Sequence, residues 1–461
     1  MKKIFIYIIL FQLSFLSCKK SEVEPLFPDS ANQRATNAVS GYKKQLTDAQ
    51  YGWKGAYYPD GGQAGGYSFY LKFDATGKVT MYSDIDEINY SNGYKPYFSN
   101  GYDKAFETTF QVKALQKPTL IFDSYSYLHE LVNPDYNGGT GQFADMELEF
   151  VSATDNTITL VGNVNKTQLV LTKITKIESD NLANGTFASV FNGTYNYANS
   201  ASFLTLVLPT GDKADLQIDL NNKFLVLYFL NKSGNIDAVS SSFIVTTTGI
   251  QLKDPVTFGG TTFQEMFWDA ALKLYYINVG GKRVNIVGAS RPTLPFYYAL
   301  GNIFVGFNMS PDIPSQTAEY KALYAKIKSN VIALSTAPPV RVIGNVYLQY
   351  LPNDGVFALV IEYKRTNPDG SLVFDGAGVL YYQPALDSKG NIKFTRLSQS
   401  GTLSGGQLAN GISAIVSAGI KPLTDLLEGS TFMWDYDPVV TRTAVLKSNS
   451  TPSISIKGFL F

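Results

Sequence analysis

The period of hydrophobic positions changes repeatedly along the chain, and each change predicts an element. Ile4 to Leu16 is a short, mainly apolar stretch behind Lys2 and Lys3. A bilayer-spanning helix takes roughly 20 residues, so this stretch reads as an export signal, residues 1–17. Lys19 to Asp29 is polar and carries Pro25 and Pro28. From there to about Ala49 the spacing is helical, with Asp29 or Ser30 as N-cap and an inner face of Ala31, Ala35, Ala38, Tyr42 and Leu46. The period then drops to two. Tyr67, Phe69, Leu71 and Phe73 alternate with Ser68, Tyr70 and Lys72, turn residues surround Gly77, and Val79 to Tyr82 returns. This predicts a hairpin.

Further alternating runs follow at Thr119–Phe122, Asp145–Val151, Thr157–Val161 and Gln168–Ile174. A leading helix followed by seven or eight antiparallel strands predicts a barrel or half-barrel. Polar Asn181–Gly185 reads as a boundary. The β pattern resumes at Ser202–Leu208, Asp215–Leu220, Lys223–Leu230, Ser242–Thr247, Lys273–Val279 and Arg283–Val287, and Arg291–Pro295 is a second break. The last third is mixed. Helices are predicted at Ser315–Ala333 (inner face Tyr320, Leu323, Tyr324, Ile327, Val331), at Gln407–Ala418, and at a segment with Pro422 in its first turn that stops at Gly429. Its strands are predicted at Arg341–Tyr350, Val356–Tyr363, Gly376–Tyr382, Asn391–Leu397, Thr431–Tyr436 and Ser453–Phe461.

The expected fold is therefore mainly β, of α+β class. A barrel, half-barrel or sandwich-like N-terminal domain (31–178) is followed by a middle β region (179–292) and a mixed C-terminal region (293–461). No repeat of fixed period is visible, which leaves open whether the blocks share a fold.

Composition narrows the function classes. Lysine and arginine total 38 against 38 aspartate and glutamate. Without Lys2 and Lys3 the balance is about −2, so no basic face is implied and nucleic acid is not an expected partner. The chain has 30 Tyr, 30 Phe and 39 Gly. That proportion suits all-β extracellular domains, where rings pack on pleated surfaces and glycines make tight turns. Cys18 is the only cysteine, so an intrachain disulfide, a cysteine metal site and a thiol nucleophile in the folded part are excluded. Ser17-Cys18 ends the apolar stretch, as expected for cleavage and lipid attachment at Cys18, with 18–30 as a lipidated tether. Each buried methylene adds roughly 0.8 kcal/mol of membrane affinity, so two or three acyl chains hold firmly. Acidic Glu22 and Glu24 follow Lys19, Lys20 and Ser21, a partial match to signals that send such lipoproteins to the cell surface.

Candidate chemistry is sparse. Leu403-Ser404-Gly405-Gly406-Gln407 matches the signature loop of ABC ATPases, but no phosphate-cradling G-x-x-x-x-G-K-[ST] accompanies it, so a turn capping a helix is expected. His129 is the single histidine. A Ser-His-Asp arrangement could form only around it, yet no G-x-S-x-G elbow presents a nucleophile, and a structural role is expected. Zinc sites with two histidines are excluded. Asp84, Asp86 and Glu87 form one acidic cluster, and Glu147 with Glu149 would share a strand face about 7 Å apart. Either is the minimum a glycosidase needs, though a solvated sheet face is the commoner meaning. No catalytic residue, cofactor or metal is expected.

Leu46-Thr47-Asp48-Ala49-Gln50-Tyr51-Gly52-Trp53-Lys54-Gly55-Ala56-Tyr57-Tyr58-Pro59-Asp60, then Gly65-Gly66-Tyr67-Ser68-Phe69 and Lys72-Phe73, resemble a domain-of-unknown-function family of Bacteroidetes lipoproteins. So does Thr119-Leu120-Ile121-Phe122-Asp123-Ser124-Tyr125-Ser126-Tyr127-Leu128-His129. The resemblance is strongest in the first 150 residues or so. It implies genes beside SusC/SusD-type nutrient-uptake pairs and a zinc metallohydrolase-like lipoprotein, and it carries over no catalytic residue. The expectation is a non-enzymatic outer-membrane lipoprotein at the cell surface that binds a glycan or peptide or braces an uptake complex. The rival expectation is a carboxylate-dependent hydrolase acting on extracellular polymer.

Overall fold

The computed structural model describes residues 29–461 except 64, 87–96, 99–100, 136–138, 140, 201–202, 336–339, 388, 398–401, 404–405 and 408–413. The expected signal segment, Cys18, the tether up to residue 28 and Glu87 lie outside the described residues.

Helix α1 (Ala31–Thr47) starts where its cap is available, with Ser30 Oγ accepting the Gln33 N–H at 3.2 Å. Of the expected inner face only Leu46 is fully buried; Ala35, Ala38 and Tyr42 are half-buried and Ala31 is exposed. Only the C-terminal half of the helix therefore packs on the sheet. The Trp53 indole N–H donates to the Leu46 carbonyl at 2.9 Å, and Tyr42 stacks on Phe150 at 4.2 Å.

Eight strands follow: β1 (Trp53–Tyr57), β2 (Tyr67–Phe73), β3 (Lys78–Ser83), β4 (Phe106–Ala114), β5 (Pro118–Phe122), β6 (Glu147–Ala153), β7 (Thr157–Gly162) and β8 (Gln168–Lys173). They form an antiparallel meander, and β1 pairs with β8 in register Trp53↔Lys173, closing a barrel. The expected β2–β3 hairpin is present. Asp74 Oδ1 accepts the N–H groups of Thr76 and Lys78, and Gly77 at φ +96 completes the turn. Helix α2 (Tyr127–Val132) interrupts the strands between β5 and β6.

The polar stretch read as a boundary is helical. Asn181–Ala183 ends α3 (Lys176–Ala183), which Thr175 and Glu178 start with a reciprocal capping box, and Gly185 at φ +73 turns the chain into α4 (Thr186–Ser200). A second meander runs through β9 (Phe203–Val207), β10 (Lys213–Asp219), β11 (Phe224–Leu230), β12 (Ile236–Val245), β13 (Gly249–Phe258), β14 (Thr261–Asp269), β15 (Leu274–Val279) and β16 (Lys282–Ala289). It too is a closed barrel, with β16 paired to β9.

The expected mixed region also contains a closed barrel. Its strands are β17 (Gly306–Asn308), β18 (Arg341–Leu351), β19 (Val356–Thr366), β20 (Leu372–Leu386), β21 (Ile392–Arg396), then, after a small hairpin of β22 (Thr402–Leu403) and β23 (Gly406–Gln407), β24 (Thr431–Tyr436), β25 (Thr443–Ser448) and β26 (Ser455–Leu460). Among the described residues this region has four helices: α5 (Phe296–Ala299), α6 (Ala318–Leu334), α7 (Ala414–Gly419) and α8 (Lys421–Gly429). Helix α6 buries Tyr320, Tyr324, Ile327 and Val331 of the expected inner face, and Leu323 is half-buried. The helix expected to begin at Gln407 does not: Gln407 pairs in the small hairpin, and helix is present from Ala414.

Eight strands enclose a space that side chains just fill or that holds one small ligand. Here the interiors are packed with rings and aliphatics. Trp53, Tyr57, Phe69, Leu71 and Leu148 fill the first barrel, Leu225, Leu227, Tyr275 and Ile277 the second, and Leu348, Leu359, Tyr382 and Phe394 the third, each no more than 2% exposed.

Candidate functional site

The acidic cluster is a joint between barrels. Asp84 is fully buried just after β3. Its Oδ1 accepts the Ser68 N–H and meets Lys223 Nζ at 2.9 Å, while its Oδ2 accepts the Val245 N–H at 2.8 Å. Lys223 comes from the second barrel. Its ammonium also donates to the Asp84 carbonyl and lies 4.5 Å from the centre of the Tyr67 ring. Burial pulls this ammonium below the usual lysine range, and Asp84 opposes that shift. Asp86 accepts from the Tyr102 hydroxyl at 3.4 Å. An acid–base pair with every polar atom committed holds two sheets together and presents nothing to a substrate.

The other sequence candidates are likewise committed. His129 Nδ1 lies 2.9 Å from Ser126 Oγ, at the start of α2, and its ring leans on Tyr125. Ser126 is fully buried, so this hydroxyl is closed to an incoming carbonyl. Burial holds the imidazole pKa below its ordinary value. Glu147 and Glu149 do share the outer face of β6. However, Glu149 pairs with Lys117 at 2.8 Å, which lowers its pKa, and Glu147 accepts from Asn163. Ser404 and Gly405 lie outside the described residues. Among the described residues, no three His, Cys, Asp or Glu gather as a metal site, and no helix is long and apolar enough to cross a membrane.

Among the described residues the mouth of the third barrel is open, and strand pairing explains its lining. Directly paired residues share a face of the sheet. Tyr350 pairs with Phe357 and Phe357 with Tyr382; Leu386 pairs with Ile392 and Ile392 with Phe432. All of these face inward, as does Trp434, two residues after Phe432. Tyr382, Ile392 and Phe432 are fully buried, but Leu386, at the end of its row, is 51% exposed. The barrel is open at that end. The mouth is a pocket of about 260 Å³ with Phe357, Ile392 and Leu300 as floor and Tyr297, Tyr350, Trp434, Gln383 and Leu386 around it. Trp434 is set by a T-shaped contact with Phe296 at 5.2 Å and by donating its indole N–H to the Gly390 carbonyl. No lining residue of this pocket carries a charge.

Two larger crevices, each about 490 Å³, adjoin the junction of the second and third barrels. Asp215 closes that junction, its two oxygens accepting the N–H groups of Thr293 and Leu294 at 2.7 and 2.9 Å. Burial raises its pKa, and these two hydrogen bonds oppose the rise.

Comparison with known proteins places the chain at family level. It belongs to the DUF4302 family, a domain of unknown function. The match covers residues 23–270, which takes in the first barrel and most of the second. No curated protein matches. Two solved structures align over most of their length: a DNA polymerase III β sliding clamp from Bartonella birtlesii (10% identity, 93% of this chain and 97% of that one) and a lipopolysaccharide-binding protein (10% identity, 86% of each chain). Both have a TM-score of 0.11, too low to argue a shared fold.

Reading the sequence alone misses Lys223, Asp215 and the barrel mouth. Nothing local distinguishes Lys223 from any lysine in a polar turn. For the mouth a signal was available: Phe432, Trp434 and Tyr436 alternate, and so do Val346, Leu348 and Tyr350, which puts rings at the ends of inward rows.

Proposed function

We propose that this DUF4302 protein is an exported, lipid-anchored cell-envelope protein that binds a ligand without transforming it, as an accessory of an outer-membrane nutrient-uptake system. One observation carries the binding half of that reading. The pocket at the mouth of the third barrel is ring-lined and uncharged, while Asp84, Glu147, Glu149, Ser126 and His129 each already meet a protein partner. A hydrolase of the two-carboxylate kind requires two acids free to face a scissile bond; among the described residues Asp84, Asp86, Glu147 and Glu149 each already meet a protein partner, and Glu87 lies outside them. The anchor half rests on the sequence before residue 19, with Cys18 as the lipidated residue.

The anchor is tested by metabolic labelling with a fatty-acid probe. The wild type labels and Cys18→Ser does not, appearing uncleaved or in soluble fractions; labelling of the variant would show that the assignment to Cys18 is wrong. Exposure at the cell surface is tested by external protease on intact cells, which should cut the stretch from Lys19 to Asp29. Full protection until lysis would put the body in the periplasm. Partners are tested by pull-down from native outer membranes. SusC/SusD-type subunits should co-purify, and recovery of the protein alone would remove the uptake assignment.

A further inference from the structure

We infer that the mouth of the third barrel is a subsite for one neutral pyranose unit of a glycan, an inference that rests on the binding role proposed above. A pyranose has two faces of C–H groups and a rim of hydroxyls. It is recognised by planar rings against a face and by neutral amide and hydroxyl groups at the rim. The mouth provides both. Tyr297, Tyr350 and Trp434 present rings, and the exposed Gln383 amide stands at the edge, with one N–H given to the Gly355 carbonyl at 3.3 Å.

Three features select this ligand over others. The lining carries no charge, so a uronate or a phosphorylated sugar would lose hydration with no cation to replace it. The floor is closed: Phe357, Leu359, Tyr382 and Phe394 fill the barrel beneath it, each at most 1% exposed, and an acyl chain has nowhere to run. At about 260 Å³ the pocket falls just below the range of roughly 300–1,000 Å³ usual for drug-sized ligands, which suits one ring of a longer chain passing across the opening. The rings are also held in advance. Trp434 is fixed by Phe296 and Gly390, and Tyr350 packs on Phe357 at 5.0 Å. Little side-chain entropy is then lost on binding.

Affinity electrophoresis of the purified full-length protein tests this, in gels carrying starch, xyloglucan, galactomannan or mixed-linkage β-glucan. Gels with polygalacturonate serve as the acidic comparison. At least one neutral polymer should retard the protein. Trp434→Ala and Tyr350→Ala should weaken that retardation about tenfold each, equivalent to about 1.4 kcal/mol. Leu386→Glu, at a half-exposed position that should not disturb folding, puts a carboxylate in the mouth and should do the same. Tyr195→Ala, in the crevice between the second and third barrels, should change nothing.

Retardation by polygalacturonate alone, by no polymer, or by a neutral polymer with all three mouth variants unaffected would overturn the subsite. Displacement of the bound polymer by an apolar peptide but not by free monosaccharide would assign the mouth to peptide instead. Fatty-acid labelling reads the anchor separately. A protein that labels but binds no glycan loses the subsite and keeps the envelope assignment, and one that binds without labelling does the reverse.

Discussion

The two seams that join the three barrels are built differently. Between the first and second barrels the backbones meet closely: a Cβ on Gly66 would lie 2.5 Å from the Phe243 carbonyl oxygen. Tyr102 stacks on Phe191 at 3.9 Å, Tyr70 meets Phe187 edge-on at 5.3 Å, and the Asp84–Lys223 pair is sealed in the contact. Between the second and third, Phe203 touches Phe304 at 5.7 Å, Asp215 clamps two N–H groups, and crevices of about 490 Å³ adjoin the clamp. A closed seam makes each polar group depend on its protein partner, because water cannot replace it. An open seam lets water take over. The same acid type is therefore expected to matter more in the first seam than in the second.

The largest effect should come from Asp84→Ala. It strands a buried ammonium and leaves the Ser68 and Val245 N–H groups without their acceptor. Breaking a buried pair by removing one partner costs about 3–5 kcal/mol, read as a lower denaturant midpoint. Combining Asp84→Asn with Lys223→Met removes the buried charge and should recover part of the loss, since the ion pair itself repays little beyond its own desolvation, while the Asn amide can accept only one of the Ser68 and Val245 N–H groups. A single variant that loses less than about 1 kcal/mol would mean that water reaches the seam and that the contrast between seams is false.

Asp215→Ala should cost less, about 1–3 kcal/mol for two unpaired backbone donors, toward the low end because water in the crevices can hydrogen-bond Thr293. A loss equal to that of Asp84→Ala would erase the distinction. The sign of its pH dependence is also fixed. Because the folded pKa is raised, the folded state holds its proton longer than the unfolded one. The stability contribution of Asp215 therefore falls as pH rises from about 4 through the folded pKa, and Asp215→Asn should flatten that slope.

The smallest effect belongs to His129, which lies outside both seams. His129→Ala should leave ligand binding within a few-fold of wild type. A loss of about 10³ in a rate of polymer hydrolysis, with folding and binding intact, would instead mark a general acid–base residue. Its folded pKa is lowered, so the unfolded chain binds the proton more readily. The wild type should gain a little stability as pH rises from that folded pKa to the ordinary 6.5, a rise the variant lacks.

What the chain reveals by itself is what short-range physics determines. Ser30 and Thr317 cap their helices because each side-chain oxygen lies beside the N–H it accepts. The β2–β3 hairpin, the buried face of α6, the Pro422 start of α8 and the β-rich class all follow from period and turn chemistry. Other elements carry no such local mark. In α4, Asn, Tyr and Gly193 are poor helix formers, and the helix exists because Phe187, Val190, Phe191 and Tyr197 bury themselves in the second barrel while Trp268 packs over Gly193. Strand β14 has Thr-Thr and Gln-Glu steps that blur its alternation, and β17, only Gly306–Asn308, is defined by pairing with β18 and β26. Tertiary structure alone decided that the sheets close, that an acidic cluster became a joint with Lys223, and that the ring-lined mouth of the third barrel was left open. Periodicity is a property of neighbouring residues. Closure, seams and mouths arise from contacts between distant ones, whose free energy no local pattern records.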